Sequence, residues 1–256
     1  MPAISRPAKR VRAGDQDAAH RRRPARSSLE TVRKRIVACR RCPELRAYCL
    51  RIAREKKPQF ATQTYWGKPV PSIGHASARL FIMGLAPAAH GGNRTGRMFT
   101  GDGSALFLAR ALYRAGFATQ PTSVRRGDGF ELKDAFMSAA LRCAPPGNRP
   151  TPVQLVRCAD HLRAELDILT SLKVVLALGK IGFDNIHARL RERGYTSPTR
   201  PAFSHAIEFR LSAPGRSDII LMGSYHPSRQ NTNTGLLTQA MLNRVFLRAR
   251  QLLERG

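Results

Sequence analysis

Four short apolar runs constrain this chain more than any other feature. They are Arg79 to Gly84, Asp134 to Leu141, Lys173 to Gly179 and Asp218 to Gly223. None alternates apolar with polar residues, as a strand wetted on one face would. Runs of strand length, three of them closed by glycine, suit strands buried on both faces of a parallel sheet. Helical patterns lie between them. Ser104 is placed to cap a helix carrying Leu108 and Leu112 and ending at Gly116. Pro152 suits the first turn of a helix that runs to about Ser171 with Leu155, Leu162, Leu166 and Leu169 on one face. Further helices are expected over Lys180–Arg193 and Leu237–Glu254. Upstream, Ser28 or Thr31 caps a helix that runs into Cys39, a second short helix follows from Glu44, and Phe60–His75 reads as a loop. Strands alternating with helices predict a doubly wound α/β sandwich. Ligands of such sheets bind beyond the carboxyl ends of the strands. That selects Gly84–Asp102, Arg142–Arg149, the residues from Gly179 and Ser224–Gly235 as the segments to search.

Charge narrows the partner. Lys and Arg number 44 against 17 Asp and Glu, a net charge of +27 over 256 residues. A field of that sign attracts polyanions, nucleic acid first among them, although an arginine-rich codon bias would raise the count too. The length suits one domain over residues 28–256 behind a basic tail, residues 1–27, which has too few apolar side chains to offset its ordering entropy. No run approaches the roughly 18 apolar residues of a membrane span, and the charged start is not followed by an apolar stretch. The expectation is a soluble, cytoplasmic monomer that makes no membrane contact.

Five cysteines are present. Cys39 and Cys42 form a CxxC pair, and Cys143 and Cys158 stand far from it in sequence. Two such pairs can meet in one four-thiolate site, for which zinc and an iron–sulfur cluster are both candidates. Pro43 after Cys42 leans toward iron–sulfur. Cys49 has no partner at a useful spacing and reads as a buried thiol.

The segment from Gly84 to Asp102 leaves a strand and enters a helix, the position of a phosphate-binding turn. It lacks both GxxxxGK[ST] and GxGxxG. It offers close backbone approach, an aromatic platform in Phe99, and polar groups in Asn93 and Asp102, which suit a planar base better than a triphosphate. A structural Gly/Pro turn with Phe99 in the core is the plainer reading, and Asp102 would also suit a helix N-terminus. Tyr225-His226-Pro227-Ser228 also follows a strand, and Pro227 biases His226 toward extended backbone.

Together the cysteine pairs, Gly84-Leu85-Ala86-Pro87 through Thr100-Gly101-Asp102, Arg142-Cys143-Ala144-Pro145-Pro146, and Tyr225-His226-Pro227-Ser228 with Asn231, Asn233 and Gly235 resemble the iron–sulfur branch of the uracil-DNA glycosylases, its fifth type. The resemblance covers about Cys39 to Arg248. It implies a three-layer α/β/α sandwich around a four-stranded parallel sheet. It implies a structural 4Fe–4S cluster on Cys39, Cys42, Cys143 and Cys158. It also implies hydrolysis of the N-glycosidic bond of uracil, and of hypoxanthine or modified pyrimidines, in double-stranded DNA. Gly84, Ala86 and Phe99 would then form the base pocket, and His226, Asn93 and Asp102 the catalytic set. Ser228, Arg229 and Asn231 would meet the DNA. One position departs from the family pattern: Ala139 stands where related enzymes often carry Asn, and an alanine has no amide to read a Watson–Crick edge. Two rival readings remain at this point. One is a non-catalytic nucleic-acid-binding protein with a four-cysteine metal site. The other is an enzyme acting on a small phosphorylated ligand at the sheet edge.

Overall fold

The computed structural model describes residues 28–254. The tail expected over residues 1–27 lies outside the described residues. The four apolar runs form strands β2 (Leu80–Gly84), β3 (Ala135–Ala139), β4 (Val174–Leu178) and β6 (Ile219–Ser224). All four pair in parallel, in the order β3-β2-β4-β6. Two short antiparallel edge strands, β1 (Ile73–Gly74) beside β3 and β5 (Glu208–Leu211) beside β6, widen the sheet to six. The expected four-stranded sheet is thus the parallel core of a larger one. β1 lies in the stretch read as loop, and two residues carry no legible periodicity. β5 is half exposed and polar, so it lacks the apolar run that marks the core strands.

Side chains of successive strand residues point to opposite faces, and the two faces bury into separate layers. Leu80, Ile82, Met137, Val174 and Leu176 pack with helices α4 (Gly103–Arg114) and α8 (Gln239–Glu254), through Leu108, Leu112, Leu242 and Phe246. Phe81, Met83, Phe136, Val175 and Ala177 pack with α5 (Pro152–Ile168) and α6 (Lys180–Glu192), through Leu162, Leu166, Phe183 and Ile186. Each fully buried Val, Leu, Ile, Phe or Met among these contributes about 1.5–3 kcal/mol. The result is the three-layer α/β/α sandwich.

The helix ends follow local chemistry. Ser28 caps α1 (Leu29–Val37) by accepting from the Thr31 N–H. The helix after Cys42, α2 (Pro43–Glu55), is 13 residues long rather than short. Thr151 and Gln154 close a capping box on α5, with Pro152 in the first turn as expected. At α4 the expected cap is corrected. Asp102, not Ser104, is the N-cap, its carboxylate accepting from the Ala105 N–H at 2.8 Å. Asp102 has extended backbone there, as an N-cap requires.

Chain order explains where a crevice opens. From β2 the chain moves to β3 on one side, then returns past β2 to β4 and β6 on the other. The connections leaving β2 and β4 therefore diverge, and the gap between them is the topological switch point.

Candidate active site

Gly84 ends β2, Gly179 follows β4, and His226 lies just beyond β6, so three of the selected segments converge at the switch point. A Cβ on Gly84 would stand 2.7 and 2.9 Å from Cε2 and Cζ of Phe99, so the far end of that ring lies directly over the glycine. A Cβ on Gly179, whose φ of +92° favours glycine, would stand 3.3 Å from the His226 Cβ. Phe99 and His226 face each other across this gap, with ring centroids 5.8 Å apart and planes tilted by 33°. Both are half-buried. Burial holds the His226 imidazole down to about pKa 4. It is therefore neutral near pH 7, a donor without a positive charge.

Phe99 adopts φ of +44°, a strained value for a bulky side chain. Neighbours over-determine it. Arg97 donates to the Thr100 hydroxyl at 2.8 Å, and its Nη2 donates to both carboxylate oxygens of Asp128 at 2.8 and 2.9 Å. Thr100 in turn donates to the Met98 carbonyl at 3.0 Å. Against the cost of burial, the N–H groups of Arg125, Phe130 and Val124, together with Arg97, hold Asp128 down to about 2. Arg94 ties the other end of the loop, donating to the carbonyls of His90 and Gly101 while its guanidinium stacks 3.9 Å over Phe60. Both arginines are under a tenth exposed. Sequence reasoning passed over them, because an arginine in a loop of so basic a chain reads as a phosphate contact.

The remaining candidate residues divide. The carboxylate of Asp102 lies against Gly91, where a Cβ would meet its Oδ2 at 2.0 Å. Burial raises its pKa, against the Ala105 and Ser104 N–H groups and the charges of Arg94 and Arg229. Asn93 is buried on the short helix α3 (Gly92–Thr95), and its amide donates to the carbonyls of Cys49 at 3.2 Å and Ala89 at 3.4 Å. Ser228 caps the short helix α7 (Arg229–Asn233), and Asn231 donates to the His226 carbonyl at 2.8 Å. The Ser228 main-chain N–H donates to the same carbonyl at 2.8 Å, so the two residues hold the His226 backbone in place. Arg229 is exposed and lies beside Gly103. Ala139 ends β3 opposite Gly84 and is buried, which puts a methyl group next to the pocket. Ala86 packs instead toward Cys143, with Ala89, Leu45 and Leu141.

Cys39, Cys42, Cys143 and Cys158 line one small cavity, together with Leu45, Pro69 and Leu141 and the side chains of Arg41, Arg46, Arg142 and Arg157. Burial raises the thiol pKa of Cys42, and carries that of Cys158 up to about 12. Cys49 is fully buried beside them and donates to the Ala144 carbonyl. Among the described residues, no three His, Cys, Asp or Glu side chains stand close enough to hold a single metal ion. Beneath the cavity, Glu165 accepts from Ser138 at 2.7 Å and from Arg142 at 2.6 Å, all three side chains being buried.

Comparison with known proteins shows the family. The family model of the uracil DNA glycosylase superfamily matches residues 71–250. A type-5 uracil-DNA glycosylase of Mycobacterium leprae is 43% identical over 226 residues, 88% of this chain and 96% of that protein. One from Thermus thermophilus is 42% identical over 85% of this chain and 94% of its own length. A type-4 uracil-DNA glycosylase of Archaeoglobus fulgidus is 25% identical over 60% of each chain. With the match spanning the sheet, the Phe99 loop and the His226 segment alike, this chain belongs to the uracil DNA glycosylase superfamily.

Proposed function

We propose that this chain is a monomeric, monofunctional DNA glycosylase that hydrolyses the N-glycosidic bond of uracil in double-stranded DNA and leaves an abasic site. The Phe99–His226 pair over Gly84 carries the reading: an aromatic face and a neutral imidazole meet at the switch point of a chain from this superfamily. A base inside a duplex is out of reach, so the nucleotide is flipped out, at a cost of a few kcal/mol that is smaller for a mismatched pair. Phe99 stacks on the flipped base. His226 donates a hydrogen bond to the uracil oxygen that gains charge as the bond breaks, and stabilising that anion is the largest catalytic contribution. Its neutrality matters, because a neutral donor does not have to lose a proton when the base leaves. Asp102 holds the attacking water and faces the cationic sugar. Asn93, with its amide tied to main-chain carbonyls, positions the loop from behind. Arg229, with Ser228 and Asn231 at its side, meets the backbone near the flipped nucleotide. The methyl of Ala139 leaves one edge of the base unread, which supports a range extending to hypoxanthine and modified pyrimidines.

The same proposal includes a 4Fe–4S cluster on Cys39, Cys42, Cys143 and Cys158. It is supported by the one small cavity that all four cysteines line. When bound, the cluster supplies a structural cross-link between α2, the segment after β3, and α5.

The test is a labelled duplex with one U·G pair, incubated with iron-replete protein and then treated with alkali. Strand cleavage at the uracil that disappears in His226→Ala supports the reading. Intact strands with uracil, hypoxanthine and hydroxymethyluracil alike would overturn it in favour of a non-catalytic nucleic-acid-binding protein.

A further inference from the structure

A second cleft lies away from the switch point. It opens between α1, the segment Trp66–Pro71 and the loop around Arg126. Six cations line it: Arg33, Lys34, Arg40, Arg46, Lys68 and Arg126. Its one acid, Glu30, is already paired with Lys34 at 3.9 Å. Among the described residues none of the other five cations has an acidic partner within ion-pair distance. Bringing that many like charges together opposes folding, and nothing in the core requires it. Two of the guanidiniums are held in place by the main chain. Arg33 donates to the Gly74 carbonyl at 2.6 Å and Arg46 to the Gly67 carbonyl at 2.8 Å. Each keeps a further buried N–H, Nε of Arg33 and Nη1 of Arg46, without a partner. Trp66 gathers two more cations on its ring, Arg126 at 4.6 Å and Lys68 at 5.6 Å from the centroid.

Both walls are bonded to the loop that carries Phe99. The Trp66 N–H donates to the Arg94 carbonyl at 2.8 Å and the Gly67 N–H to the Asn93 carbonyl at 3.0 Å. On the other side, the Gly101 N–H donates to the Ser123 carbonyl at 2.8 Å. Gly96 allows the approach, since a Cβ there would stand 2.7 Å from the Trp66 ring. The cleft is therefore tied to the base pocket through the Phe99 loop. The occupant must be a polyanion. The Arg-rich residues 1–27 have the wrong sign of charge for it.

We infer that this cleft is a second DNA contact, which grips phosphates of the duplex flanking the lesion, apart from the nucleotide in the pocket. The inference rests on the proposed glycosylase reading for its substrate, but not for its test. The double variant Lys68→Ala/Arg126→Ala removes two exposed side chains outside the catalytic set, and Lys68→Gln/Arg126→Gln stands in for it if truncation harms folding. Affinity for a U·G duplex, and for the same duplex without uracil, is measured across a salt series. Losing two phosphate contacts makes the slope of log K against log salt about 1.8 less negative, so from about 50 to 200 mM salt the variant loses about 12-fold less affinity than the parent. The single-turnover excision rate at saturating DNA stays at the parent value. An unchanged affinity and salt slope would overturn the inference, as would weakened binding with the parent's slope. A parent protein that excises nothing counts against the glycosylase reading alone, because the undamaged duplex still reports on the cleft.

Discussion

Replacing Gly84 by alanine separates the site's geometry from the fold's stability. Gly84 lies in β2 with an ordinary strand backbone, outside the positive-φ glycines, so alanine meets no backbone strain there. What it meets is the Phe99 ring, at 2.7 and 2.9 Å from the new methyl where ordinary contact begins at 3.4 Å. The ring must retreat by about 0.7 Å or more, and it starts from a strained backbone that Arg97 and Thr100 do not let relax. Retreat also disturbs the 5.8 Å relation to His226. Overpacking of this kind costs about 1–3 kcal/mol of stability. A displacement near 1 Å in a reacting constellation costs about 100-fold in rate. Single-turnover excision from a U·G duplex should therefore fall about 100-fold, while thermal unfolding stays cooperative and shifts by no more than about 12 °C. Full excision by Gly84→Ala would refute the placement of the base against Phe99. A loss of rate that merely follows the fraction unfolded would refute the geometric argument.

His226→Ala should lower excision by about 100- to 1,000-fold, the range for losing one preorganised donor to a developing anion, with little change in DNA affinity. The imidazole signal of His226 should show no titration near pH 6.5 and should move only toward pH 4, as NMR would report. Asp102→Asn keeps a capping side chain but removes the charge, so unfolding should stay near the parent while excision falls by at least tenfold, and an unchanged rate would assign Asp102 to capping alone. Cys143→Ser should lose iron on purification and unfold at lower temperature, and unchanged iron content would remove the cluster. His161 is buried and, through burial first and then the charges of Arg142, Arg41 and Arg35, is held down to about 4. The unfolded chain binds its proton near 6.5, so stability is complete above that pH and is lost as pH falls toward 4. The loss is about 3 kcal/mol, and His161→Gln should remove it from a pH series of denaturant unfolding.

Several parts of the site were legible before any coordinates, for different reasons. The core strands announced themselves because a strand buried on both faces must be apolar throughout. The two edge strands did not, since β1 is too short for a pattern and β5 is half wet. His226 and Phe99 were selected by their position after strands, a topological rule that needs only the order of elements. Asp102 was the hardest to read, because one carboxylate can cap a helix and face a ligand at once. Arg94 and Arg97 were missed, because a guanidinium bound to carbonyls inside a loop has the same one-dimensional signature as one that waits for phosphate.

Read in line, the chain already holds the layers, the alternation of the four core strands with helices, the basic character and the family, because burial periodicity, charge and motif spacing are one-dimensional properties. Tertiary structure alone decided that Phe99 lies over Gly84 within reach of His226, that Asn231 holds the His226 carbonyl, and that six cations from separate segments border one cleft. Those are relations between residues far apart in sequence. They exist only once the sheet has folded and its diverging connections have brought the loops together, and no local propensity encodes a distance across that gap.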